Sequence, residues 1–116
     1  MPRTHASSRE ELECIQLARL RELLAAVRPD NAYYEAKLGQ AGIDDSVASL
    51  AEFRANCPFT TKPELADDHA ANPPYGSNLT FPPGRYTRVH QTSGTSGAPL
   101  RWLDTPESWQ WMIDNW

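Results

Sequence analysis

Apolar side chains line one side of a helical repeat early in the chain: Leu17, Leu20, Leu24 and Val27, with Leu12, Ile15 and Leu23 widening the stripe. Arg9, Arg19, Arg21, Glu22 and Arg28 occupy mostly the other faces. Ser7 and Ser8 precede Glu10 and Glu11 at capping-box spacing. The pattern therefore predicts a leading amphipathic helix over 8–28, about five turns at roughly 3.6 residues each, ended by Pro29. Asp30 or Asn31 is placed to cap a second helix through Ala32, Tyr33, Tyr34 and Leu38, stopped by Gly39 and Gly42. Ser46 opens a third, Val47 to Ala55, with Val47, Leu50 and Phe53 on one face. Thr61-Lys62-Pro63-Glu64 is a further capping box, and its helix runs to about Ala71, before Asn72-Pro73-Pro74.

After the glycine- and proline-rich stretch ending at Gly84 the period changes from helical to alternating. Tyr86 to His90 is β-compatible, and Leu100 to Leu103 reads as a second short strand, so 86–104 forms a strand–loop–strand unit. Thr105 then caps a last helix with Pro106 at its first position, and Trp109, Met112, Ile113 and Trp116 form a stripe expected to be buried. That stripe and the two strands call for neighbours, so the expectation is the opening of a larger α/β domain, incomplete and poorly stable alone.

Composition narrows the partners. Apolar residues make up 40% and charged residues 22% of the 116, a globular balance. Lys plus Arg number 11 against 15 Asp plus Glu, a formal charge of −4, which lacks the basic footprint of a nucleic-acid binder. No apolar run has the length of a membrane span, so a cytoplasmic protein is expected, and nothing speaks against a homo-oligomer. Cys14 and Cys57 read as reduced thiols, with Cys14 packed on a helix face. His5 and His69 have no partners at ligand spacing, so no transition metal held by protein ligands is expected.

The chemistry concentrates in Thr92-Ser93-Gly94-Thr95-Ser96-Gly97-Ala98-Pro99. Glycines let successive backbone N–H groups turn toward an anion, and the hydroxyls add donors. No lysine follows the second glycine as in a Walker A loop, and the glycine spacing is not that of a dinucleotide fingerprint. A cluster of this composition also serves as a linker or tight turn. Its place between two β-compatible segments, with Pro99 fixing its exit, favours a binding loop.

His90 to Pro99 resembles the phosphate-binding core motif of the adenylate-forming superfamily, and within it the phenylacetate–coenzyme A ligase family. Gln16 to Arg21 followed by Asn31-Ala32-Tyr33-Tyr34, then Pro58 to Leu65, Pro74-Tyr75-Gly76 and Arg88-Val89-His90 extend the likeness in order from about Leu12 to Thr105. The resemblance implies that 1–116 is the N-terminal part of an AMP-binding domain. It implies an ATP-dependent ligase that joins a small carboxylic acid to AMP and passes the acyl group to coenzyme A, with Mg²⁺ accompanying ATP. It assigns Thr92, Ser93, Gly94, Thr95, Ser96 and Gly97 to the phosphates, with His90, Arg101 and Lys62 as further candidates, and places the catalytic residues beyond Trp116. Leu100 stands where many relatives carry a lysine, which leaves Arg101 as the nearby cation. On this reading the segment alone is inactive. A phosphate-binding or protein-interaction module, and an adenylating enzyme that loads an acyl-carrier protein, are the alternatives.

Overall fold

The computed structural model describes residues 5–94 and 97–116, so Thr95 and Ser96, assigned to the loop above, lie outside the described residues. The chain divides into two compact units, one ending at Phe59 and the other spanning Thr60–Trp116.

In the first unit, helix α1 (Arg9–Val27) starts where Ser8 accepts a hydrogen bond from the amide of Glu11. Helix α2 (Ala32–Gln40) is capped by Asn31, whose side chain accepts from Tyr34 N at 3.0 Å. Leu24 is buried with Leu38, Ile43 and Val47, and Leu17, Leu20, Tyr34, Phe53 and Cys57 pack against them. This core is narrower than the predicted stripe. Leu12 and Leu23 are exposed, as is Cys14, because two short helices and their connectors cover only the Leu17–Leu20–Leu24 side of α1. Cys57 is partly sheltered, and that burial pushes its thiol above its ordinary pKa.

Helix α3 (Leu50–Asn56) begins three residues later than predicted. Ser46 is taken up by a turn, its amide donating to Asp44 Oδ1 at 2.8 Å. Ser49 provides the cap instead, accepting from Glu52 N, while Glu52 reaches back to Ala48 N. Val47 is thus a buried loop residue, held by Arg21 Nε donating to its carbonyl at 2.9 Å. Arg28 grips Glu35 through both carboxylate oxygens, at 3.0 and 2.9 Å, and also donates to Ile43 O. The guanidinium holds the Glu35 carboxyl below the usual carboxylate range.

In the second unit, helix α4 (Lys62–Ala71) opens with the Thr61–Glu64 capping box and ends at Ala71, as the sequence predicts. The connector that follows is fastened by Tyr86, whose hydroxyl accepts from Thr80 N and Phe81 N. It ends in a short 3₁₀ turn, Pro83–Arg85. Strands β1 (Arg88–Gln91) and β2 (Arg101–Asp104) pair antiparallel, with Arg88 opposite Asp104 and Gln91 opposite Arg101. The first strand starts two residues later than predicted because Tyr86 serves the connector. The second starts at Arg101, since Leu100 belongs to the buried neck of the loop.

Helix α5 (Pro106–Asp114) is capped by Thr105, reciprocally bonded to Ser108. Its stripe departs from expectation: Met112, Ile113 and Trp116 are exposed, and only Trp109 is sheltered. The hairpin presents α5 with little beyond Arg88 and His90, and both lie on the Trp109 ring. Among the described residues no helix is long and apolar enough to cross a membrane.

Candidate functional site

The hairpin sets the geometry of the loop. At its neck Thr92 N donates to Leu100 O and Leu100 N donates to Thr92 Oγ1, both at 2.9 Å. The threonine side chain thus replaces the second main-chain bond of a strand pair. Leu100 is 4% exposed, which accounts for an apolar residue at that position: a lysine with the same backbone would carry its stem into the buried neck.

Inside the neck the chain turns through Gly94, at φ +69, and Gly97, at φ +142. The turn is closed by Gly97 N donating to Gly94 O at 3.2 Å. A Cβ at Gly94 would stand 3.0 Å from Gly97 O and 3.2 Å from both Pro99 Cδ and Pro99 N. Gly94 therefore meets both a left-handed backbone and a close approach, and Pro99 is one wall of the turn. Ser93 is exposed beside it.

The other candidates have partners of their own. The His90 ring stacks on Trp109 at 4.9 Å between centroids and 20° between planes, and the guanidinium of Arg88 lies 4.6 Å from the Trp109 ring centroid. His90 Nε2 lies 3.2 Å from Asp104 Oδ2, and among the described residues that buried nitrogen has no hydrogen-bond partner. Arg101 donates through Nε to Gln91 Oε1 at 3.2 Å and through Nη1 to Pro74 O at 3.1 Å. It spans from β2 to the turn after α4. Lys62 is the exposed first residue of α4.

Sequence reasoning missed the brace formed by Asp68 and His69. The Asp68 carboxylate accepts from Ser77 N at 2.8 Å and from the Ser77 hydroxyl. His69 Nδ1 lies 2.8 Å from Leu65 O, and Nε2 lies 3.1 Å from Arg101 O and 3.3 Å from Arg101 N. A Cβ on Gly76, whose φ is +75, would stand 2.5 Å from Asp68 Oδ2 and 3.0 Å from His69 Nδ1. The one signal in the sequence was the Tyr75-Gly76 turn, since a glycine there reports a close approach without naming the partner. Among the described residues no cluster of His, Cys, Asp or Glu could hold a metal ion.

No family model matches the chain. Curated proteins do. A phenylacetate–coenzyme A ligase of Thermus thermophilus is 34% identical over 98 residues, covering 84% of this chain and 21% of that protein. One from Aromatoleum evansii is 33% identical over 94 residues, covering 80% and 20%. The Escherichia coli protein is 31% identical over 111 residues, covering 95% and 23%. Among solved structures, 2-hydroxyisobutyryl-CoA ligase in the postadenylation state with 2-HIB-AMP matches at a TM-score of 0.85 and 27% identity, over 98% of this chain and 24% of that one. The same ligase with 2-HIB-AMP and CoA matches at 0.84 and 28%, over 94% and 23%.

The fold is that of part of an adenylate-forming acyl-CoA ligase. The chain is similar to phenylacetate–coenzyme A ligases over most of its own length, and it spans about a fifth of the length of the curated relatives it matches.

Proposed function

We propose that this chain contributes the triphosphate-gripping loop of an ATP-dependent acid–thiol ligase. The observation that carries the reading is the Thr92–Leu100 neck enclosing a turn that Gly94 alone fits, in a chain similar to coenzyme A ligases over most of its length. In the proposed reaction a carboxylate oxygen attacks the α-phosphorus of ATP. The bond to the β-phosphate oxygen breaks and pyrophosphate leaves. The sulfur of coenzyme A then attacks the acyl carbon, and AMP leaves with the bonding electrons.

A carboxylate approaching a polyanion needs its charge offset. Mg²⁺ bound with ATP supplies part of that offset by neutralising phosphate oxygens. From this chain, Ser93 and Thr92 supply hydroxyls, Gly94 and Gly97 shape the turn, and Thr95 and Ser96 complete the assignment. The fit is chemical and steric: hydroxyl donors on a glycine-shaped turn suit a phosphate, and an acidic or apolar loop would not. Arg101, held between Gln91 and Pro74, is proposed as the cation nearest the loop. Arg101→Ala then weakens Mg·ATP binding, and unchanged affinity removes it from the site. His90 is read as a group that anchors β1 to α5 through Trp109 rather than as a ligand.

The test is carboxylate-dependent exchange of labelled pyrophosphate into ATP by the complete protein, followed by transfer to coenzyme A. Exchange with transfer to coenzyme A supports the reading. Exchange with transfer only to a phosphopantetheinylated carrier protein supports carrier loading instead. Mg·ATP binding without exchange, for every acid tried, supports a phosphate-binding module.

A further inference from the structure

We propose that His69 is a positioning residue for the phosphate loop, a role that rests on the function proposed above. In an antiparallel pair the main-chain groups of successive residues face the partner strand and the outer edge in turn. Leu100 uses its amide and carbonyl on Thr92, so the amide and carbonyl of Arg101 face the outer edge of the hairpin. There they meet a single side-chain atom, His69 Nε2, at 3.3 and 3.1 Å.

The tautomer follows from the partners. Leu65 O can only accept, so Nδ1 carries a proton and donates to it at 2.8 Å. In that neutral tautomer Nε2 accepts from Arg101 N–H at 3.3 Å, while Arg101 O, 3.1 Å away, can only accept and takes no proton from it. His69 stands where a third strand would otherwise satisfy that amide, and it ties the first residue beyond the loop to the last turn of α4. The brace is doubled on each side. Asp68, the preceding residue, holds Ser77, and the Arg101 side chain holds Pro74 O, so both ends of the 74–77 turn are fixed to the same assembly. Gly76 seals it, because a Cβ there would run into both Asp68 and His69.

A residue that holds the loop's exit affects ligands of the loop and leaves others alone. Loss of the Arg101 contact therefore weakens ATP, whose β- and γ-phosphates the loop is proposed to hold, and spares AMP, which lacks them. Three substitutions separate the contacts. His69→Gln keeps an acceptor near the place of Nε2, His69→Asn keeps only a donor near Nδ1, and His69→Phe keeps only the ring's bulk.

The experiment uses the complete protein with Mg·ATP and with AMP as ligands, together with hydrogen exchange at the Arg101 amide without nucleotide. Expected are wild-type-like behaviour for His69→Gln, and for His69→Asn and His69→Phe faster Arg101 exchange and roughly tenfold weaker Mg·ATP binding at unchanged AMP affinity. If one of the latter two fails to fold, the other carries the comparison. The role is overturned if Arg101 exchange and Mg·ATP affinity stay at wild-type values, or if ATP and AMP affinity fall together. It is also overturned if exchange quickens and ATP binding does not change. Wild-type protein that binds no Mg·ATP sinks the underlying function instead, a failure recognisable before any variant is compared.

Discussion

Thr92 and Leu100 are joined by two hydrogen bonds of 2.9 Å, one between main chains and one from the Leu100 amide to the threonine hydroxyl. The second bond makes the loop's neck depend on a side chain. Thr92→Val keeps the shape and leaves the buried Leu100 amide without an acceptor, at a cost of about 1–3 kcal/mol. Thr92→Ser keeps the oxygen and loses little. Exchange at the Leu100 amide, compared between the two variants, checks this; equal protection in both would remove the hydroxyl from the neck.

Gly94→Ala tests the turn itself. A left-handed backbone costs an ordinary residue about 1–2 kcal/mol. The new methyl group also lies 3.0 Å from Gly97 O and 3.2 Å from Pro99, so the turn must open to admit it. The expected outcome is a lower melting temperature of the complete protein together with weaker Mg·ATP binding. Gly84→Ala, where a Cβ would meet nothing within 4 Å and φ is not positive, is the matched control with neither effect.

The first unit should loosen in acid. Arg28 holds Glu35, and the Ser46 turn holds Asp44, below the usual carboxylate range. Each group keeps its charge to lower pH in the folded chain than in the unfolded one. That preference stabilises the fold fully above the unfolded value and is lost as pH falls through the lowered ones, from about pH 4 downward. Glu35→Gln should flatten that acid limb by lowering stability at neutral pH toward the level the wild type reaches in acid, as read by circular dichroism across a pH series. An identical acid limb in the variant would contradict the assignment.

The sequence carried the caps and the loop well and the packing poorly. Ser8, Asn31, Thr61 and Thr105 cap their helices because a short polar side chain followed by free amides is a local arrangement. The third helix was misplaced for an equally local reason, a contest between Ser46 and Ser49 that Asp44 and Glu52 decided. Burial is another matter. Periodicity shows that Leu23 and Trp116 are apolar, yet only the neighbours determine whether they are covered, and within these units they are not.

The turn within the hairpin was legible because its glycine and proline positions carry their own geometry. His69 was not. Its partner Arg101 stands 32 residues away, and a backbone amide leaves no mark in the sequence of the strand that bears it.

Residues 92–97 are proposed to hold the outer phosphates of ATP. Ser93→Ala in the complete protein, titrated separately with Mg·ATP and with AMP, tests it most directly. Mg·ATP affinity should fall several-fold, about the effect of one hydrogen bond to a charged group, while AMP affinity stays unchanged. Equal loss for both nucleotides, or no loss for either, would contradict it.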